Sequence, residues 1–88
     1  MPAKIEVYSK DYCPYCDKAK LLLNSLNAPF AEIDITHDPE GYSKIQARNP
    51  SARTVPQIFI NNQPVGGCDA LYALHEAGKL VPLLEQAE

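Results

Sequence analysis

Cys13-Pro14-Tyr15-Cys16 stands where the chain changes period, and that placement restricts the fold more than any other feature. Before it, Lys4 to Tyr8 alternates, Ile5 and Val7 apolar against Lys4 and Glu6 polar, which is the pattern of a strand. After it, Ala19, Leu22, Leu23 and Leu26 fall at i, i+3, i+4 and i+7, one face of a helix. Pro14 suits the first helical position, where a missing N–H costs no intrahelical bond. Cys13 is then the N-cap, and two thiols three residues apart sit where a strand becomes a helix.

A side chain at the N-cap accepts hydrogen bonds from the free N–H groups of the first turn. The Cys13 sulfur is therefore predicted to face the amides of Tyr15 and Cys16 and the positive end of the helix dipole. Both effects favour the thiolate. A free cysteine titrates near about 8.5, and settings of this kind lower that to roughly 3.5–7.5. Lys10 adds a positive charge to the same neighbourhood. Cys16 falls on the same helical face, one turn deeper, and is predicted to be the less exposed partner with the higher pKa. Zinc also uses this spacing, but a structural site wants four ligands. Only Cys68, His37 and His75 remain, with no second close pair, so the expectation is a redox pair and no metal.

With 88 residues, 45% of them hydrophobic, the chain is read as one domain, 1–88, with a core sufficient for a small α/β unit. A net charge of -3 and the lack of any basic run argue against a nucleic-acid partner. No stretch approaches the ~20 apolar residues of a membrane span, and no apolar h-region follows Met1-Pro2-Ala3-Lys4. Three cysteines are too few, and odd in number, for a secreted disulfide scaffold. A cytoplasmic protein is expected.

Asn27-Ala28-Pro29 closes the first helix, and Phe30 to Ile35 reads as a second strand, giving a β-α-β unit whose strands are parallel neighbours or near-neighbours. Asp38-Pro39-Glu40 predicts a helix start, Asp38 as cap and Pro39 first, running to Arg48 before Asn49-Pro50 stops it; Gly41 sits awkwardly in its first turn. Gln57 to Ile60 is a nearly continuous apolar run, then Asn61-Asn62-Gln63 turns into a short strand through Pro64 and Val65 to Gly66. Pro64 cannot donate to a ladder, so its strand is predicted at the edge. A third helix begins near Cys68-Asp69 with Leu71, Leu74 and Ala77 inward and stops at Gly78; Leu80 to Gln86 makes a last one, with Pro82 in its first turn. Thr54-Val55-Pro56 enters the hairpin with the proline isomer undetermined. His37 and His75 read as surface residues, and Cys68 as a small buried one.

Cys-Pro-Tyr-Cys at 13–16, Thr-Val-Pro at 54–56 and Gly-Gly-Cys-Asp at 66–69 occur together in this order, and on them the chain resembles a dithiol glutaredoxin of the thioredoxin-fold superfamily over its whole length. The resemblance implies a four-stranded mixed sheet flanked by helices, with a cis Pro56 beside the thiols. It implies that the backbone of Val55, after Thr54, pairs with the peptide of glutathione as a miniature added strand. Gly66 and Gly67 would allow close approach, and the helix N-terminus at Cys68-Asp69 would take the γ-glutamyl carboxylate. Asp69 would accept from the ammonium group, alone in this respect because Ala70 stands where many members carry a second acidic residue. Lys10 or Arg48 would pair with the glycyl carboxylate, and Tyr15 would wall the groove.

The activity so implied is glutathione-dependent thiol–disulfide exchange through Cys13, with Cys16 resolving, and with glutathione as co-substrate rather than a bound cofactor. Partners would be glutathionylated or disulfide-bonded proteins, ribonucleotide reductase among the candidates, met by a monomer. Two rivals are weighed against this. A thioredoxin-like protein usually has Trp before the first cysteine and Gly-Pro inside the pair, where this chain has Tyr12 and Pro14-Tyr15. A glutathione-ligated iron–sulfur carrier is commoner with Cys-Gly-Phe-Ser, though thiolates do suit clusters.

Overall fold

Alternation along the central strands sends side chains to opposite faces, and both faces are covered. In the computed structural model, which describes residues 3–86, strand β1 (Ile5–Ser9) is followed by helix α1 (Pro14–Ser25) and β2 (Ala31–Asp34). Next come α2 (Gly41–Arg48), β3 (Gln57–Ile60), β4 (Gln63–Gly66), α3 (Cys68–Glu76) and α4 (Leu80–Glu85). The sheet has the order β2-β1-β3-β4. β1 and β2 are parallel, with Val7 opposite Glu32, whereas β1–β3 and β3–β4 are antiparallel. This is the mixed four-stranded sheet expected, with the β4 strand that carries Pro64 at one edge.

Ile5, Val7, Ile58 and Ile60 point to one face and pack with Ala19, Leu22 and Leu23 of α1, Leu71 of α3 and Leu80 of α4. Tyr8 and Phe59 point to the other, where Ile35, Ile45 of α2 and Ala52 meet them. Val7, Leu23, Ile58, Phe59 and Leu71 have no exposed surface. Each such side chain contributes about 1.5–3 kcal/mol on burial, and the short β1–β3 pair supplies three of them, Val7, Ile58 and Phe59. It also supports the loops at one end of the sheet, after Ser9 and before Gln57.

Two sequence expectations are corrected. Asp38 does not cap α2: its Oδ1 accepts from Glu40 N at 3.0 Å in a local turn, its Oδ2 pairs with Lys44 at 2.7 Å, and the helix starts only at Gly41. A short Asx turn at Asp38 occupies the place of the expected first helical turn, so the regular helix begins later. Gly41 then has a packing reason, since a Cβ there would lie 2.5 Å from the Ile35 Cβ. Ala77 is not inward but exposed, because α3 ends at Glu76 and Ala77 is its C-cap. Among the described residues no helix is long and apolar enough to cross a membrane.

Candidate active site

Cys13 adopts extended geometry (φ -119, ψ 96) at the N-cap of α1, with Pro14 beginning the helix. The amide of Cys16 donates to Cys13 Sγ at 3.1 Å, so the sulfur lies over the opening turn as the sequence predicts. The two cysteines are joined as a disulfide. Cys13 is half-buried and Cys16 fully buried, which leaves one sulfur open to attack and the other covered. On reduction, an anion on Cys13 keeps the Cys16 amide and the helix dipole as its partners. Tyr12, in the left-handed region (φ 55), turns the chain into the helix, and Asp11 N donates to Thr36 Oγ1 at 2.9 Å, fastening this loop to the end of β2.

The second wall is the segment before β3. The Val55–Pro56 peptide is cis, which settles the isomer that the residues left open and agrees with the resemblance. Val55 O lies 3.8 Å from Cys13 Sγ. Pairing of β3 with β1 begins at Gln57, so Val55 stands outside the ladder with its backbone beside the sulfur. A Cβ on Gly67 would lie 3.4 Å from Pro56 O, so the N-cap of α3 closes on the same segment.

These pieces enclose an open groove of about 510 Å³ lined by Tyr15, Thr54, Val55, Pro56, Gly67, Cys68, Asp69 and Ala70. The structure thus gathers seven residues singled out as substrate contacts at one place. Lys10, the eighth, is exposed and does not line the groove. Arg48 is corrected: it lies on the α2 face, bound to both Glu6 carboxylate oxygens (2.9 and 3.2 Å) and to Tyr8 Oη, with its guanidinium 4.1 Å from the Phe59 ring centroid. A guanidinium so occupied is not available to a carboxylate in the groove. Burial pushes the Cys68 thiol up, and Asp69 adds to this against Lys18, so it is a poor nucleophile. A roomier groove of about 560 Å³ between β4, α3 and α4 contains no thiol. Among the described residues no cluster of His, Cys, Asp and Glu is arranged to hold a metal.

The sequence marks Gln57 only as the start of an apolar strand. It is buried, and its Nε2 donates to Thr54 O at 2.9 Å. The available signal was one amide at the head of an otherwise apolar run, immediately after Pro56.

The family model for glutaredoxin matches residues 5–65. The chain belongs to the glutaredoxin family. As a glutaredoxin it is a thiol–disulfide oxidoreductase, and its Cys13–Cys16 pair is a redox dithiol of the expected spacing. It is 46% identical over 83 residues to glutaredoxin 3 of Escherichia coli, covering 94% of this chain and 99% of that one. Its fold matches a solution structure of glutaredoxin from Brucella melitensis with a TM-score of 0.83 at 45% identity, covering 96% of this chain and 90% of that one. It also matches the crystal structure of a buckwheat glutaredoxin–glutathione complex with a TM-score of 0.84 at 35% identity, over 93% of this chain and 76% of that one.

Proposed function

We propose that this glutaredoxin uses glutathione to reduce protein–glutathione mixed disulfides and protein disulfides, with Cys13 as nucleophile and Cys16 as resolving thiol. The observation that carries the proposal is the half-buried Cys13 sulfur, 3.1 Å from the Cys16 amide and 3.8 Å from the carbonyl oxygen of Val55, a residue that lines a groove reaching the N-terminus of α3. An anion at the N-cap is a ready nucleophile, the unpaired Val55 backbone suits a peptide such as the cysteinyl unit of glutathione, and the Cys68–Asp69 amides suit a carboxylate. The buckwheat relative, solved as a complex with glutathione, supports glutathione as the ligand.

In the first step the Cys13 thiolate attacks the glutathione sulfur of a mixed disulfide. The S–S bond breaks, the client sulfur leaves as a thiolate and takes a proton from water, and Cys13 carries glutathione. A second glutathione thiolate attacks that adduct at its glutathione sulfur, releasing oxidised glutathione and the Cys13 thiolate. Net, the client sulfur ends reduced as a thiol, and the glutathione it carried ends joined to the second one as oxidised glutathione. With a protein disulfide, Cys13 forms a mixed disulfide with the client, Cys16 displaces the client thiolate to close the Cys13–Cys16 bond, and two glutathiones reopen it. Potentials near about −200 to −230 mV suit such equilibration with glutathione. This direction of chemistry fits a monomer in the reducing cytoplasm, with many glutathionylated proteins or ribonucleotide reductase as clients.

The test presents one client protein with its cysteine carrying either glutathione or cysteamine, with glutathione as reductant. A strong preference for the glutathione adduct is expected. Equal rates for the two adducts, or turnover sustained only by a flavoprotein reductase, would remove glutathione from the mechanism.

A further inference from the structure

The mechanism uses the backbone of Val55, but Val55 lies outside the β ladder, and something else must fix the direction of its peptide groups. The Thr54–Val55 peptide is trans, so the Thr54 C=O and the Val55 N–H lie in one plane and point opposite ways. Fixing either group fixes the other. Gln57 Nε2 donates to Thr54 O at 2.9 Å from a side chain that is only 5% exposed. Its own orientation is held at the other end, where Oε1 receives Asn49 Nδ2 at 3.5 Å, and its backbone is anchored opposite Tyr8 in the ladder. Asn49 is in turn the C-cap of α2, its N–H on Ile45 O at 2.8 Å.

We infer that Gln57 is a positioning residue for substrate: its buried amide holds the Thr54 carbonyl turned toward the sheet and so aims the Val55 N–H away from it, toward the groove beside Cys13. The catalytic consequence rests on the proposed pairing of glutathione with Val55, whereas the orientation itself does not. A buried side-chain amide with both ends bonded has a single orientation, because turning it over would leave buried polar groups unpaired. Rotation of the plane is thereby suppressed before substrate arrives, and the donor is preorganised. Without Gln57 the Thr54 carbonyl turns outward to water, and the Val55 N–H turns away from the groove with it.

Gln57→Met keeps length and removes the donor; Gln57→Asn keeps an amide that falls short of Thr54 O and serves if the first variant fails to fold. In the oxidised protein, the residual dipolar coupling of the Val55 N–H reports the plane directly. That coupling is expected to change in both variants while those of β1 and β3 stay fixed. KM for a peptide carrying a glutathione mixed disulfide is expected to rise about fivefold to tenfold with kcat within about twofold, since peptide pairing is lost and the sulfur chemistry is not. An unchanged Val55 coupling would refute the role of Gln57 whatever the kinetics. A changed coupling with unchanged KM would refute its link to substrate, and a wild-type protein indifferent to glutathione would count against the proposed function instead.

Discussion

Cys13 Sγ and Val55 O, 42 residues apart in sequence, lie 3.8 Å from each other. One belongs to the N-cap of a helix and the other to a segment entering a strand, so their meeting depends on β1 and β3 being paired side by side. A substrate peptide that pairs with Val55 would therefore be brought to the sulfur by the pairing of β1 with β3.

Unequal exposure of the two sulfurs predicts unequal consequences of losing them. Cys13→Ser is expected to abolish turnover on every substrate. Cys16→Ser is expected to retain reduction of glutathione mixed disulfides within about threefold and to lose at least about tenfold on protein disulfides, which need a resolving thiol. Rates of both variants on both substrate types check this; parallel losses would contradict the assignment.

After reduction, Cys13 and Cys68 should differ sharply toward iodoacetamide at pH 7. Cys13 has a helix N-terminus and the Cys16 amide to hold an anion, whereas Cys68 is buried and its thiol is pushed up. The rate for Cys13 plotted against pH is expected to titrate below the ordinary cysteine value, and Cys68 to react about a hundredfold more slowly. Mass spectrometry of peptides from timed samples separates the two. A Cys13 profile centred on the ordinary value would remove the proposed activation.

Glu6 and Glu32 are both held below the ordinary carboxylate value, Glu6 first by its hydrogen bond from Arg48 and Glu32 first by its hydrogen bond from Lys20, with Ser9 helping. A depressed carboxylate contributes stability above its unfolded pKa and loses it as pH falls through the folded one. The melting temperature is therefore expected to drop below about pH 4.3. Arg48 and Lys20 are raised by the same partners, so their contribution persists through neutral pH and fades only above the usual lysine range. Arg48→Ala, which also uncovers the Phe59 ring, is expected to cost roughly 2 kcal/mol and to flatten the acid limb; thermal melts from pH 3 to pH 7, about 4–8 °C per kcal/mol, measure both.

Gly41→Ala is expected to destabilise by about 1–3 kcal/mol, because its new Cβ would overlap the Ile35 side chain at 2.5 Å in a packed interior. Gly66→Ala meets a different obstacle, a φ of +113 together with Ala70 Cβ at 3.1 Å, and is expected to cost about 1–3 kcal/mol while also disturbing the approach to α3. Denaturant unfolding of the two variants tests them, and a neutral Gly41→Ala would mean that α2 shifts freely on the sheet.

Local rules settled much of this protein from sequence. Periodicity gave β1 and α1 with their faces, a continuous apolar run gave β3, Pro14 marked the first turn of α1, and Pro64 marked an edge strand, because each depends on neighbours within a few residues. The Asp38 cap and the inward Ala77 both failed at helix ends, which shift by a residue or two at little cost. Everything that joins distant parts of the chain was decided by tertiary structure. Arg48 went to Glu6 on the far face, and Val55 came beside Cys13. Periodicity says which way a side chain points but not what it will meet, and those meetings are fixed only when the sheet aligns segments more than forty residues apart.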